Sequence, residues 1–379
     1  MALYTGAPLL ITGYPVSSLD SLARLEVWFR FATCRQYSRR QKQEWLNNKR
    51  CVDDYLEHAG RRAMTSQQAR QWRALVTFAS NPDTACLTLE NDAYPDALRH
   101  IDHPPWILYA KGNLDLLLEP ALAVVGSRRP SDLGCHAVDH LVGPLAALGV
   151  VTVSGLALGI DALAHQSALN ANAGTVAVLA NGIDVVYPAR HRQLQSQIER
   201  NGLLISEYPP GAKAAKHQFV ERNRLVSGLA LGVLVIEAAA RSGTLTTARW
   251  ALEQNKEVFV LPGSVFNPQY EGSHRLIQQG ALLVHAFDDI LDVLRDSLGQ
   301  IVDSQQHISN DFSCVGDFGV VLGALQRSEA TIDQIIEQTG LTASAVSRML
   351  IELELQGAII VLNDGRYALK PIGGKAVTR

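Results

Sequence analysis

The stretch Ala121–His165 reads ALAVVGSRRPSDLGCHAVDHLVGPLAALGVVTVSGLALGIDALAH, and it decides the fold. A short apolar run, Ala121–Val125, stops at Gly126. A segment of helical period follows, and a second apolar run, Val150–Val153, stops at Ser154-Gly155. The same unit recurs downstream with the runs Thr175–Leu179, Leu203–Ser206, Gly232–Ile236 and Glu257–Leu261, each rich in Val, Ile or Leu. Strands that are apolar throughout, alternating with helices, predict a parallel sheet buried on both faces. The expected core is therefore a doubly wound, Rossmann-like α/β domain. It closes with a small helix, Gly272–Gln279, and a strand, Ala281–Val284.

On either side the character changes. Residues 1–86 read as a polar, helical N-terminal region with a basic cluster from Arg35 to Lys49. From Leu87 to Leu116, Tyr94-Pro95, His103-Pro104-Pro105 and Trp106–Tyr109 suggest an extended connector with one short strand. The core domain is expected over 87–290 and a polar linker over 291–317. A small C-terminal domain is expected over 318–370. There, Val320–Gln326 is an apolar helix, Thr331 caps a second ending at Gly340, and Thr342 caps a third, Ala343–Gln356. A hairpin turning at Asn363-Asp364-Gly365 completes a winged helix.

Composition excludes several classes. The chain has 379 residues, 47% hydrophobic and 19% charged, as in ordinary globular proteins. No basic n-region precedes a long apolar run, and no stretch could span a membrane, so a cytoplasmic protein without a membrane partner is expected. The five cysteines are scattered and form no CxxC pair, so neither a disulfide framework nor a metal site is indicated. A net charge of −3 confines any nucleic-acid site to a focused patch. That patch should avoid the segment from residue 291, which holds 7 basic against 11 acidic residues.

In open α/β sheets, ligands bind beyond the carboxyl ends of the strands. Three glycine-bearing turns follow strands here: Gly126-Ser127-Arg128-Arg129-Pro130-Ser131, Ser154-Gly155-Leu-Ala-Leu-Gly159-Ile-Asp161 and Arg241-Ser242-Gly243-Thr244. Neither GxGxxG nor GxxxxGK[ST] occurs, so a dinucleotide or P-loop cofactor is not expected. One such turn alone is as well explained by tight packing. Three on one sheet edge favour phosphate binding. The segment Lys213-Ala-Ala-Lys216-His-Gln-Phe219-Val-Glu-Arg222-Asn223-Arg224 sets four cations and an aromatic ring against one acid. Cations can pair with the phosphates of a flexible strand while its bases stack on the ring. The plainer alternative is a solvated helix face with Phe219 in the core.

The blocks VVGSRRPS (124–131), SGLALGIDALAH (154–165), NGIDVVYP (181–188), ISEYPPG (205–211), FVERNR (219–224), SGTLTTA (242–248) and LPGS (261–264) follow in fixed order. In this the chain resembles the DNA-processing protein A family, also called Smf, over about residues 87–290. The C-terminal winged helix also resembles the small domain many members carry. Residues 1–86 lack the glycine-rich helix-hairpin-helix pattern often found there, and Leu158 stands where an arginine is common. The resemblance implies binding of single-stranded DNA without base specificity, dimerisation, and loading of a RecA-type recombinase during natural transformation. Carried onto this chain, it implies that Gly126, Ser127 and Arg128 hold a phosphate, Lys216 pairs with another and Phe219 stacks on a base. Asn223, Arg224, Ser242, Gly243 and Thr244 would line the same pocket. His274, Ile277 and Leu283 would fall in the dimer contact.

Two other classes compete. The glycine turns also resemble those of phosphoribohydrolases with a PGGxGTxxE signature, but Thr247 stands where the catalytic glutamate would be. Glu207, Glu237, His165 and His217 read as structural, so no catalytic residue is expected. A winged-helix transcription regulator would need a basic recognition helix, whereas Ala343–Gln356 carries Arg348 against Glu352 and Glu354.

Overall fold

The computed structural model describes residues 19–34, 36–48, 51–54, 63–298, 320–321, 324–325, 329–355, 359–362 and 366–369. The described chain up to Ser297 forms one compact unit, and that from Leu298 a second. The first is built on a sheet of nine strands: β1 (Thr84–Thr88), β2 (Ile107–Gly112), β3 (Ala121–Gly126), β4 (Val151–Ser154), β5 (Thr175–Leu179), β6 (Leu203–Ser206), β7 (Gly232–Ile236), β8 (Glu257–Val260) and β9 (Leu282–Leu283). Their order is β1-β2-β6-β5-β4-β3-β7-β8-β9. From β6 to β9 all neighbours are parallel, while β2 runs antiparallel to both β1 and β6. The chain winds outward from β3 to β6, then returns to place β7 on the other side of β3. That reversal makes the carboxyl ends of β3, β4 and β7 the crevice where such folds bind ligands.

Helices cover both faces, as the apolar strands require. In chain order they are α1 (Leu19–Thr33), α2 (Arg39–Asn47), α3 (Ser66–Ala79), α4 (Asp132–Ala147), α5 (Ile160–Asn170), α6 (Arg192–Asn201), α7 (Lys216–Gly228), α8 (Thr244–Glu253), α9 (Glu271–Gln278) and α10 (Phe287–Leu298). Leu225 and Val226 of α7, Ala248 and Ala251 of α8, and Leu276 of α9 pack with Ala123, Val125, Val233 and Val235. On the other face Trp28, Phe29 and Phe31 of α1, and Leu75 of α3, pack with Cys86, Ile107, Tyr109, Ala177, Leu179 and Leu204.

This corrects two expected boundaries. A division at 86/87 falls inside β1, and the N-terminal helices share a core with the sheet: Trp28, Phe29 and Phe31 are 0–1% exposed. A linker from 291 would begin inside α10, whose Ile290, Leu291, Leu294 and Leu298 are buried. The pair β1–β2 extends the expected sheet because Tyr109–Gly112 pairs with Leu203–Ser206.

In the second unit, Thr331 caps α11 (Ile332–Thr339), which ends at Gly340 in the left-handed conformation, φ 70°. Helix α12 (Ala343–Leu355) and the antiparallel pair β10 (Ile359–Val361) and β11 (Tyr367–Leu369) follow. Val321, Leu325, Ile335, Val346, Met349, Leu350, Leu353 and Ile359 form its core. The turn Asn363–Gly365, most of the linker and Gln326 lie outside the described residues. No helix among the described residues is long and apolar enough to cross a membrane.

Candidate nucleic-acid interface

The carboxyl edge of the sheet is held together by side chains from separate turns. Thr244 Oγ1 donates to the carbonyl of Gly126, 2.9 Å, so the β7 turn is fastened to the β3 turn. Ser242 Oγ donates to Thr244 Oγ1, 2.9 Å, and accepts from the Thr244 N–H, 3.2 Å, shaping the start of α8. Asn223 of α7 reaches the Gly243 carbonyl at 3.4 Å. The Ile160 N–H donates to Ser127 O, 3.1 Å, and ties the β4 turn to the same point. Glycine at 126 is dictated by packing: a Cβ there would lie 1.9 Å from Ile236 O and 2.6 Å from Ile160 Cγ1. At Gly159, φ is 80° and a Cβ would meet Ser127 O at 2.2 Å.

Above this floor stand the cations and rings. Lys216, Phe219 and Asn223 share one face of α7, because residues three or four apart on a helix are neighbours. The Arg128 guanidinium lies 5.8 Å from the centroid of the Phe219 ring, a cation–π contact. Tyr187, from the loop after β5, packs on Phe219 with centroids 5.3 Å apart and planes at 53°. Phe219 is half-buried and Tyr187 is exposed. Arg128, Arg129, Lys213, Lys216 and Arg241 are exposed, and none pairs with an acid among the described residues. Ser127 and Ser242 are half-buried, Gly243 is exposed and Thr244 is buried. The geometry thus joins Gly126, Ser127, Arg128, Phe219, Asn223, Ser242, Gly243 and Thr244, with Lys216 one helical turn from Phe219.

Arg224 departs from expectation. Its side chain is 3% exposed and donates to Glu207 from Nη1 (2.7 Å) and Nη2 (2.5 Å) and to His103 O from Nε (2.9 Å). Every donor group of the fork is engaged, so it is an internal counter-ion and not a phosphate ligand. Burial opposes ionisation of Glu207, but the Arg224 and Arg39 guanidinium groups outweigh it and hold its carboxyl below the usual range. Arg222 is buried too: it donates to Gly155 O at 2.6 Å and to Val178 O. Burial pushes its guanidinium down to about 10. Asp161 accepts from the Gly155 and Ala157 N–H groups, so the β4 turn is braced from both sides. Two of the four cations in the basic segment are therefore scaffold.

Glu237 and His165 are scaffold as well. The Glu237 side chain is fully buried and accepts from Ser131 N–H and, at 2.6 Å, from Ser131 Oγ. His165 is fully buried against Thr175 Oγ1 at 2.7 Å. Thr247 is 1% exposed. At the far edge, His274 Nε2 approaches Gly263 O at 3.0 Å and Ile277 packs against the core, whereas Leu283 is 51% exposed. Sequence reasoning gave no role to Tyr187. Its signal was an aromatic placed after β5 on the carboxyl edge.

A model of the DNA recombination-mediator protein A family matches residues 85–295, and one of the DprA winged helix domain matches 316–365. Protein Smf of Escherichia coli K12 is 40% identical over 299 residues, covering 78% of this chain and 80% of that one. The crystal structure of DNA processing protein A from Streptococcus pneumoniae superimposes with a TM-score of 0.59 at 33% identity, covering 72% of this chain and 97% of that one. The Helicobacter pylori protein of the same name, described for its single-stranded DNA binding mode, gives 0.51 at 33% identity, covering 56% and 96%. With its reversal at β3, its fastened glycine turns and its winged helix, this chain belongs to the DNA recombination-mediator protein A family.

Proposed function

We propose that this protein binds single-stranded DNA without base specificity along the carboxyl edge of its sheet, acts as a homodimer, and delivers the strand to a RecA-type recombinase in DNA processing and natural transformation. The observation that carries the reading is Arg128 over the Phe219 ring beside Tyr187, among exposed cations with no acidic partner. A phosphate draws the Arg128 guanidinium into a charge-assisted pair. That movement frees a face of Phe219 for a base. The chemistry asks for charge and π-surface and offers no groove-reading helix, which suits a flexible strand of any sequence. That the Helicobacter pylori relative is described for a single-stranded DNA binding mode supports this reading.

The test is fluorescence anisotropy with labelled single- and double-stranded oligonucleotides of equal length over a salt series. Arg128 and Lys216 alone give a slope of log K against log salt near −1.4, and all five exposed cations near −3.5, at about 0.7 per neutralised phosphate. Arg128→Ala shifts the slope by about 0.7 toward zero. Equal affinity for duplex, or a salt-independent affinity, sinks the proposal.

A further inference from the structure

The loop between β8 and α9 presents the most solvent-exposed large apolar side chain in the described structure. Phe266 is 93% exposed and its neighbour Val265 is 78% exposed. Slack in the loop does not explain this, because Ser264–Tyr270 is braced at nearly every residue. The Phe266 N–H donates to Ser264 Oγ at 3.3 Å and the Asn267 N–H to Ser264 O at 3.0 Å. Asn267 accepts in turn from the N–H groups of Gln269, on Oδ1, and Tyr270, on its carbonyl, both at 3.0 Å. Tyr270 is 3% exposed, and its ring fills the space where a side chain at Gly263 would stand. His274 stacks on the Tyr270 ring and holds Gly263 O. An apolar pair held in water by a braced loop forgoes the stabilisation that its burial would bring.

We propose that Phe266 is a second base-stacking platform, so that a single strand crosses from Phe219 over the start of α8 to the β8 loop. This rests on the function proposed above. Three observations choose nucleic acid over a protein partner. First, the segment that follows the β8 loop is fastened to the β7 turn, because the Gly272 and Ser273 N–H groups donate to Ala238 O at 2.8 and 3.1 Å and the Ala238 N–H donates to Ser273 Oγ at 3.0 Å, so the loop adjoins the turns of the candidate interface. Second, the strand order β3-β7-β8 sets β8, whose following loop carries Phe266, two strand spacings from β3, about 10 Å. Two or three nucleotides span that distance at ~3.4 Å or more each. Between them lie Ser242–Thr244 at the N-terminus of α8, where the helix dipole favours a phosphate, with exposed Arg241 beside them. Third, a Phe and a Val are far too little surface for a stable protein contact, which needs about 800 Å² a side, yet one ring suffices for one base.

The experiment compares wild type, Arg128→Ala, Phe266→Ala and Phe266→Trp on labelled oligo-dT of 4 to 20 nucleotides. Melting and light scattering are recorded on each variant. Phe266→Ala is expected to bind the shortest ligands like wild type and to lose roughly 5- to 150-fold on the longer ones, with an unchanged salt slope. Phe266→Trp restores the long-ligand affinity, and oligo-dT quenches its added emission. Wild-type affinity of Phe266→Ala at every length, or a change in its mass instead of its affinity, overturns the proposal while Arg128→Ala still reports on the first site. If no oligonucleotide binds wild type, the underlying function fails and this inference falls with it.

Discussion

At position 219 a ring stands between the core and the solvent, with Arg128 on it and Tyr187 against it. Both expected uses of Phe219 can be separated by removing the ring. Phe219→Ala should weaken single-strand binding by roughly 1–3 kcal/mol with the salt slope almost unchanged, because stacking releases no counter-ion. A core role would instead cost about 3–5 kcal/mol of stability. Paired melting and binding curves decide. Unchanged affinity at normal melting temperature removes the ring from the interface. The residue scale also shows what sequence could not supply. Helical spacing places Lys216, Phe219 and Asn223 on one face, and their grouping was legible from it. The burial of Arg222 and Arg224 depends on Asp161 and Glu207, carboxylates that only the folded sheet brings near them. Nothing local in FVERNR distinguishes a buried guanidinium from an exposed one.

Among the elements, those that alternate strongly were legible. β3 to β8 lie where continuous apolar runs predict them, because parallel strands buried on both faces leave no room for polar alternation. β1 was missed: Thr84-Ala-Cys-Leu-Thr is short and half polar, and its burial comes from α1 and α3 packing across it. β9 was expected as a strand of four residues and has two, Leu282 and Leu283, bonded to β8 on one side. Both are exposed, at 36% and 51%, on a sheet edge, an arrangement that invites pairing with another chain. We expect this edge to carry the self-association. Leu283→Arg is the cleaner probe, since Ile277 also packs into the core and a charge there would disturb the fold. The expected outcome is a halved mass by light scattering with an unchanged melting temperature. An unaltered mass, or a wild type that is already monomeric, removes β9 from the contact.

At the scale of the whole molecule, one buried imidazole makes the fold sensitive to acid. His165 is fully buried between α5 and β5. Thr175 Oγ1 donates to Thr152 O, so it accepts from His165 Nδ1–H, and the ring is neutral with the proton on Nδ1. Burial first, then the nearby positive charge of His191 and Arg222, pushes its pKa down to about 3. An unfolded histidine titrates near 6.5. Between those values the unfolded chain holds a proton that the folded chain refuses, so unfolding takes up a proton and acid favours it. The His165 contribution is therefore complete above about pH 6.5 and is lost as pH falls toward 3, at up to ~1.4 kcal/mol per pH unit. Glu207, held low by its arginines, adds a loss of the same sign that sets in as pH falls through the ordinary carboxylate range. The winged helix of the second unit supplies an internal contrast, since no histidine occurs after His307. Scanning calorimetry between pH 7.5 and 4.5 should show the transition of the first unit falling steeply and that of the second falling less. His165→Leu removes the titrating group and leaves the Thr175–Thr152 bond intact, at some cost in stability at neutral pH. Its melting temperature should depend on pH more weakly than that of wild type over this range. If the variant loses stability with falling pH as steeply as wild type, His165 is not the group that sets the acid limit of the fold.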